Sequence, residues 1–183
     1  MTLTILCFHG CGQDPKTFSS LLGSLQKNLK KHNWSFRKGF YHKREGGWGW
    51  YKYRDCDEST EIDPSDYYGI IREIGESIEE PENTVLIGFS EGAQFALDLA
   101  QRFTNIRGVV AISPSYAIGI PKMTLISPVV LITSPNDDKV MKKYADKWKK
   151  HIKGEVTEIK HFKGHKVYLP LETRQIIKMK LRL

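Results

Sequence analysis

The sequence has few cysteines and no long apolar segment. Its three cysteines, Cys7, Cys11 and Cys56, are too few for the disulfide framework of a small secreted domain. That count fits a reducing, cytoplasmic location. No stretch approaches the roughly 20 apolar residues that a membrane helix needs, and the first residues lack the basic segment that opens a signal peptide. We therefore expect a cytoplasmic protein without stable membrane insertion.

Internal repeats, low-complexity tracts and convincing linkers are also missing from the 183 residues. A chain of this length, 40% of it hydrophobic, can bury one sizeable core but is too short for two ordinary domains. The sequence therefore predicts one domain spanning residues 1–183. It makes no prediction of the oligomeric state.

The charge balance is strongly basic, with a net charge of +7 and a pI near 9.2. A basic balance can indicate an anionic partner, but the zinc-finger, RRM and KH signatures of nucleic-acid-binding proteins are missing. In residues 139–154, apolar side chains recur at helical spacing and leave the lysines on the other faces of the helix. We therefore expect a solvated helix face and no nucleic-acid partner.

Strands and helices alternate along the chain. Continuous apolar runs that are typical of buried parallel strands occupy residues 2–8, 84–89, 106–113 and 127–134. Two less apolar strands are expected over 34–41 and 155–162, the second of them at a sheet edge. Helices are expected over 14–31, from 63 onward, and over 91–103, 140–152 and 170–180, with an irregular region at 41–61. This order predicts an α/β fold with about six parallel strands and helices on both faces.

In such sheets, ligands bind at the carboxyl ends of the strands, and one of these ends carries a serine between glycines. Gly88-Phe89-Ser90-Glu91-Gly92 matches the G-x-S-x-G nucleophile elbow at a strand–helix junction. The glycines leave room for the tight turn, and the helix N-terminus favours a developing negative charge. A purely structural alternative is that the glycines only allow a turn between strand and helix and that Ser90 only caps the helix.

A nucleophilic serine needs a base and a third group that orients the base. Downstream of the elbow lie His151, His161 and His165, of which His165 occupies a loop after the last strand and is the predicted base. Asp137 and Asp138 both follow the fifth strand; Asp137 is favoured as the acid, while Asp138 can instead cap the next helix. The order serine, acid, histidine is that of α/β-hydrolases.

The oxyanion hole is expected to combine two backbone N–H groups. One is the amide of Glu91, directly after the nucleophile, and the other is that of Cys11 in the loop after the first strand. This loop, "HGCGQ", lacks the GK[ST] ending of a P-loop and the spacing of G-x-G-x-x-G. It is therefore not predicted to bind phosphate.

The stretches "FHGCGQDPKTF", "GFSEGAQFALDLA", "ITSPNDDKV" and "GHKVYLP" together resemble small α/β-hydrolases of the FSH type. These serine hydrolases are close to the phospholipase/carboxylesterase group, which includes the acyl-protein thioesterases. The resemblance spans nearly the whole chain. By position it implies Ser90 as nucleophile, Asp137 as acid, His165 as base, and the Cys11 and Glu91 amides as oxyanion donors.

The activity that this resemblance implies is hydrolysis of carboxylic esters or thioesters of small to medium acyl groups through an acyl-enzyme, without metal or cofactor. One alternative is a lysophospholipase or acyl-protein thioesterase whose basic surface meets anionic membranes. Another is a catalytically silent binding protein with a hydrolase fold. An intact set of Ser90, Asp137 and His165 argues against the second alternative.

The chain also departs from the family pattern. It opens directly on the strand before the loop that starts at His9-Gly10, here called the HG loop, which implies a minimal six-stranded sheet. The short tail after His165 is expected to leave no room for a lid domain. Glu91 stands where such families more often have Gln. The resulting negative charge beside the nucleophile is expected to lower the reactivity of the serine or to disfavour anionic substrates.

Several residues near the predicted site have two interpretations. Trp48, Trp50 and Tyr51 either line an acyl pocket or cover the edge of the sheet. Ser113, after the fourth strand, either borders the substrate site or ends the strand. Residues 54–60 contain enough acidic and sulfur side chains to suggest a metal site, but a solvated loop is the favoured interpretation and no metal site is predicted.

Overall fold

The computed structural model describes residues 1–43, 46–52, 64–117, 119–139 and 142–183. Its strands are β1 (Thr4–Phe8), β2 (Asn33–Arg37), β3 (Tyr41–His42), β4 (Trp48–Gly49), β5 (Thr84–Phe89), β6 (Gly108–Ile112), β7 (Val129–Thr133) and β8 (Val156–Lys160). Six of them form a parallel sheet in the order β2-β1-β5-β6-β7-β8. Strands β3 and β4 form a separate antiparallel pair.

Helices cover both faces of the parallel sheet. They are α1 (Pro15–Leu21), α2 (Gly23–Asn28), α3 (Pro64–Glu76), α4 (Glu91–Arg102), α5 (Lys142–His151) and α6 (Leu171–Lys180). Phe18 of α1 and Ile177 of α6 belong to the core on one face. Ile71, Phe95 and Trp148 bring α3, α4 and α5 into the core on the other face. The predicted α/β-hydrolase fold with a six-stranded parallel sheet is thus confirmed.

The burial of the strands explains their sequences. Every residue of β5 and β6 is buried, because helices cover both faces of the sheet, and these strands are accordingly apolar without alternation. Strand β8 is only partly buried and lies at the edge of the sheet, as its more polar sequence predicted.

The strand order creates a crevice at the carboxyl ends of β1 and β5. After β1 the chain adds β2 on one side, and it then returns to place β5 on the other side of β1. Ligands of open α/β sheets bind at such switch points. The loop that begins at His9 leaves β1 there, and Ser90 follows β5, so the two sequence motifs meet at this crevice.

The helix predicted over 14–31 is instead two short helices, α1 and α2. The break falls at Leu22, whose φ of −89° and ψ of 4° leave the helical region. Gly23 follows directly, and glycine is a poor helix former because it loses more backbone entropy than other residues. Leu22 remains fully buried and joins the two helices to the core.

The region 41–61 was expected to be irregular, but its described part contains the β3–β4 pair. Gly46 and Gly47 have φ values of 98° and 67°, which glycine adopts without the steric cost of a side chain. Trp48 then pairs antiparallel with His42. Residues 44–45 and 53–61 of that region lie outside the described residues.

We expect Gly92→Ala to lower the free energy of unfolding by about 1–3 kcal/mol, the usual cost of overpacking a core. A Cβ at Gly92 would overlap the carbonyl oxygens of Phe8 and His9, because α4 contacts β1 closely at this residue. Gly69→Ala is the control, because a Cβ there meets nothing within 4 Å. Its free energy of unfolding should rise by about 0.5–1 kcal/mol, since alanine is a better helix former than glycine. Urea unfolding would measure both changes. A Gly92→Ala protein as stable as the wild type would contradict the close contact.

Candidate active site

Ser90 has the backbone conformation of a nucleophile elbow. It lies between the last residue of β5 and the first of α4, with a φ of 54° and a ψ of −119°. A positive φ is uncommon for a residue with a side chain and signals local strain. The strand–helix corner predicted from the G-x-S-x-G spacing is therefore present, and it projects the hydroxyl at the N-terminus of a helix.

Hydrogen bonds from neighbouring elements hold this strained residue in place. The amide of Ser90 donates to the carbonyl of Ile112 at the end of β6, at 2.9 Å. Its carbonyl accepts from Ala93 and Gln94 in the first turn of α4, at 3.0 and 3.1 Å, and from Ser115 at 3.3 Å. Because its backbone is bonded to β6, α4 and the loop after β6, Ser90 cannot relax to an ordinary conformation without losing several bonds.

His165 reaches Ser90 from the loop after β8. Its Nε2 lies 3.0 Å from the Ser90 Oγ, and its ring packs against Phe89 with centroids 4.7 Å apart. The loop is fixed because the amide of Gly164 donates to Ser134 Oγ and Asn136 Oδ1, both at 3.2 Å. A histidine at this distance from a hydroxyl is within reach to accept its proton.

Asp137 is the carboxylate that contacts this histidine. Its Oδ2 lies 2.8 Å from His165 Nδ1, and its side chain is only 4% exposed. The other oxygen, Oδ1, accepts from the amide of Lys139 at 2.9 Å. Asp138, by contrast, is exposed. The structure thus brings Ser90, His165 and Asp137 into one hydrogen-bonded row and leaves the alternative Asp138 outside it.

The two other downstream histidines are engaged elsewhere. His151 Nε2 lies 3.2 Å from the hydroxyl of Tyr116. His161 is buried, its Nδ1 accepts from the amide of Lys163 at 3.2 Å, and burial lowers its pKa below the usual value. His165 is the histidine that contacts Ser90 and Asp137, and its role as the base stays a prediction.

The loop after β1 is held by its own side chains and by β4. The amide of Gly10 donates to Gln13 Oε1 at 3.0 Å, and the amide of Gln13 donates to the Gly10 carbonyl at 3.1 Å. Gly12 donates to the Trp48 carbonyl at 3.0 Å, and Trp48 donates back to the Gln13 carbonyl at 2.8 Å. The amides of Gly10, Gly12 and Gln13 thus all donate to acceptors within the protein. The amide of Cys11 stays the oxyanion donor predicted from the sequence.

Two of the cysteines lie in or directly after β1. Cys7 is a free, buried cysteine of β1, and burial raises the pKa of its thiol well above the usual value. The Cys11 side chain, however, is disulfide-bonded. One disulfide is not a framework, and the cytoplasmic location stays a prediction.

The Glu91 side chain binds the segment after β4, and the effect of its charge on Ser90 stays a prediction. It is 2% exposed, and its Oε1 accepts from the amides of Trp50 and Tyr51 at 2.7 and 3.0 Å. Lys43, also buried, has its Nζ 4.0 Å from this oxygen and donates to the Tyr51 carbonyl at 2.7 Å. Glu91 therefore fixes the segment that follows β4, and its backbone N–H in the first turn of α4 is the second predicted oxyanion donor.

Sequence reasoning missed Lys43 as the partner of Glu91. Lysine is rarely buried, and nothing in the local sequence distinguishes this one from the exposed lysines. Burial raises the pKa of Glu91 to about 7, even though Lys43 and the two amide hydrogen bonds pull it down. The loss of solvation therefore outweighs the attraction between the two side chains.

Trp50 is part of the core and does not line a substrate pocket as one interpretation predicted. It is fully buried, packs against Phe8 and Phe95, and donates its indole N–H to the His9 carbonyl at 2.8 Å. A side chain with no exposed surface cannot contact a ligand in an open crevice. Trp48 is partly exposed beside Lys38, whose ammonium lies 3.6 Å from the ring centroid.

Ser113 lies beside the site on the Asp137 side. It has a φ of 44°, is 2% exposed, and its Oγ has no hydrogen-bond partner among the described residues. It lines a cavity of about 60 Å³ together with Thr133, Ser134 and Asp137. Its contact with a substrate stays a prediction.

Within the described part of the chain, no group of three or more metal-ligating side chains is present. Residues 54–60, for which a metal site was considered, lie outside the described residues. Among the described helices, none is both long and apolar enough to span a membrane.

The fold and the serine elbow together define an α/β-hydrolase. A sequence profile of the phospholipase/carboxylesterase family matches residues 1–133, which include the HG loop and the elbow. The chain therefore belongs to the phospholipase/carboxylesterase family of hydrolases. The match ends before Asp137 and His165. No curated protein matches the sequence.

Solved structures with similar folds include esterases. A carboxylesterase from Bacillus cereus superposes with a TM-score of 0.76 at 19% identity, covering 99% of this chain and 88% of that one. SOBER1 from Arabidopsis thaliana gives a TM-score of 0.73 at 17% identity, covering 100% and 98%. YahD, solved with malic acid, gives 0.76 at 17% identity, covering 98% and 94%. At these identities the likeness concerns the fold alone.

The raised pKa of Glu91 predicts a pH-dependent stability. Between the ordinary glutamate value of 4.5 and about 7, the folded protein holds a proton that the unfolded chain has lost, so the free energy of unfolding falls as pH rises through this window. We expect a loss of roughly 2–3 kcal/mol between pH 5 and 8 from this group. Glu91→Gln, which cannot titrate, should lack that loss.

Urea unfolding of the wild type and of Glu91→Gln at pH 5 and 8 would measure how much the free energy of unfolding of each protein changes between the two pH values. Glu76→Gln, at an exposed carboxyl of α3, is the matched control and should follow the wild type. An identical pH dependence in the wild type and in Glu91→Gln would contradict the assigned titration.

Proposed function

We propose that this hydrolase is a serine esterase or thioesterase that cleaves small to medium acyl groups through an acyl-enzyme, with Ser90, His165 and Asp137 as its catalytic residues. The observation that carries the proposal is the hydrogen-bonded row of the three side chains, with 3.0 Å between Ser90 and His165 and 2.8 Å between His165 and Asp137. Such a row can activate a serine hydroxyl, because the histidine accepts its proton and the aspartate orients the histidine.

In the first half-reaction, Ser90 Oγ attacks the substrate carbonyl carbon while His165 Nε2 accepts the hydroxyl proton. Asp137 accepts a hydrogen bond from His165 Nδ1, which fixes the tautomer and stabilises the imidazolium. The tetrahedral intermediate then collapses, and His165 returns the proton to the departing alcohol or thiol. The acyl group remains esterified to Ser90.

In the second half-reaction, His165 takes a proton from water, which attacks the acyl-enzyme. The carboxylic acid leaves and Ser90 regains its proton. The Cys11 and Glu91 amides are the proposed donors to the oxyanion in both steps. Glu91 supports this role because its amide lies at the positive end of α4.

The first test is covalent labelling of Ser90 by a fluorophosphonate, with the intact mass as readout. The wild type should gain one adduct, because the activated serine attacks phosphorus as it attacks a carbonyl. Ser90→Ala should gain none, and His165→Ala should react orders of magnitude more slowly. A wild type that resists labelling would overturn the proposal and favour a silent binding protein.

The second test separates the two neighbouring aspartates. Asp137→Asn should lower kcat on an activated ester by roughly 10⁴-fold, because the imidazole loses its orienting carboxylate. Asp138→Asn removes the same charge one residue away, at an exposed carboxyl, and should change kcat less than threefold. Equal losses in the two variants would contradict the assignment of Asp137.

A further inference from the structure

The two predicted oxyanion donors belong to different elements of the fold. The amide of Glu91 lies in the first turn of α4, and the amide of Cys11 lies in the HG loop after β1. Two donors stabilise an oxyanion only when both are aimed at the position that the oxygen will occupy. A misplacement of about 1 Å can lower the rate roughly 100-fold. The distance between α4 and the HG loop is therefore critical to the proposed reaction.

The Glu91 side chain contacts the segment of residues 48–51, which begins with β4. Its Oε1 accepts from the amides of Trp50 and Tyr51 at 2.7 and 3.0 Å. A Cβ added at Gly49 would lie 3.1 Å from the same oxygen, so the backbone of the segment packs directly against the carboxylate. Because Glu91 is buried, water competes little for these bonds. The carboxylate of α4 thus holds this segment in place.

The same segment bonds to the HG loop at three points. The Trp50 indole donates to the His9 carbonyl at 2.8 Å. The Trp48 carbonyl accepts from the amide of Gly12 at 3.0 Å, and the Trp48 amide donates to the Gln13 carbonyl at 2.8 Å. Residues on both sides of the predicted donor of the loop are therefore bonded to the segment that the carboxylate holds.

A continuous path of contacts therefore connects the two predicted donors. It runs from the Glu91 carboxylate to residues 48–51, and from there to both sides of Cys11 in the HG loop. Only one carboxylate oxygen takes part, because Oε2 is buried without a hydrogen-bond partner among the described residues. The path therefore needs one acceptor oxygen at the end of side chain 91, and the amide of a glutamine also offers one.

We propose that the Glu91 side chain is a positioning residue of the oxyanion hole, which aligns its own amide with that of Cys11 by accepting from segment 48–51. This inference rests on the proposed function. The oxyanion exists only during the reaction, so a misaligned donor weakens binding of the transition state far more than binding of the substrate. The Glu91 side chain therefore acts on the rate through the loop that it holds, and not by touching the substrate.

A matched pair of double variants tests the acceptor. The methionine double variant, Lys43→Met with Glu91→Met, replaces both buried charged groups, since removing only one would leave the other unpaired in the core. The glutamine double variant, Lys43→Met with Glu91→Gln, differs from it only in keeping an acceptor oxygen at residue 91. Gln101→Met is the control at the other end of α4. The buried Gln101 accepts from the amide of Met123 at 3.3 Å, so this variant loses a similar hydrogen bond away from the site.

The readout is the ratio of kcat/KM for p-nitrophenyl butanoate to kcat/KM for its thiono analogue, in which sulfur replaces the carbonyl oxygen. Sulfur accepts hydrogen bonds weakly, so the thiono ester gains little from well-aligned donors. In the methionine double variant, kcat/KM for the oxygen ester should fall roughly 100-fold. Its ratio should fall on the order of 10-fold, since misaligned donors cost the thiono ester less. The glutamine double variant and Gln101→Met should stay within about twofold of the wild-type ratio, because both keep an acceptor at residue 91.

Trp50→Phe tests the same path without changing either buried charge. Phenylalanine keeps an aromatic ring against Phe8 and Phe95 but cannot donate to the His9 carbonyl. The ratio should fall about fivefold, less than in the methionine double variant, because the bonds of Trp48 to the HG loop remain. This variant decides the question if the methionine double variant does not fold.

A purely structural role of Glu91 would lower the folded fraction, measured by urea unfolding, and leave the ratio unchanged, since unfolded molecules hydrolyse neither substrate. The inference is overturned if the folded methionine double variant or Trp50→Phe keeps the wild-type ratio. It is also overturned if the glutamine double variant or Gln101→Met loses as much as the methionine double variant. These outcomes leave the proposed function intact when the wild type hydrolyses the oxygen ester and Ser90 is labelled by a fluorophosphonate. A wild type that is neither labelled nor active overturns the proposed function as well as the inference.

Discussion

The left-handed backbone of Ser90 is the constraint on which the rest of the site depends. A residue with a φ of 54° persists only where its surroundings hold it, and here β6, α4 and the loop after β6 all bond to its backbone. The same turn requires that α4 contact β1 at Gly92, where no side chain fits. The strain at Ser90 and the tight helix–strand contact are therefore two aspects of one junction, stabilised by the fully buried strand that precedes it.

Buried charged residues connect this junction to the surrounding loops. Glu91 and Lys43 fix the segment after β4, and β4 in turn bonds to the HG loop through Trp48. Deeper in α4, Asp98 binds the ammonium of Lys122 at 2.9 Å and the hydroxyl of Tyr67 at 2.7 Å. Burial lowers the pKa of Lys122 despite this pairing. Burying each of these charged groups costs solvation free energy, and the contacts that each group makes fix the position of a loop.

The basic character of the protein has two separate origins. Some lysines are buried and structural, as Lys43 and Lys122 are, and their charge is offset by Glu91 and Asp98. Others remain on the surface and set the external field, and those beside His165 lack a described acidic partner. The net charge of +7 therefore does not describe one basic surface.

The sequence alone determined the α/β order and the strand–helix corner at Ser90, because local patterns decide these features. Buried strands are apolar throughout, and a tight turn needs its glycines. Only the tertiary structure decided the break at Leu22, the β3–β4 pair, the burial of Trp50 and the direction of the Glu91 side chain. These depend on which segments meet in space. Lys43 and Glu91 are 48 residues apart in sequence, and no local signal pairs a buried carboxylate with a distant ammonium.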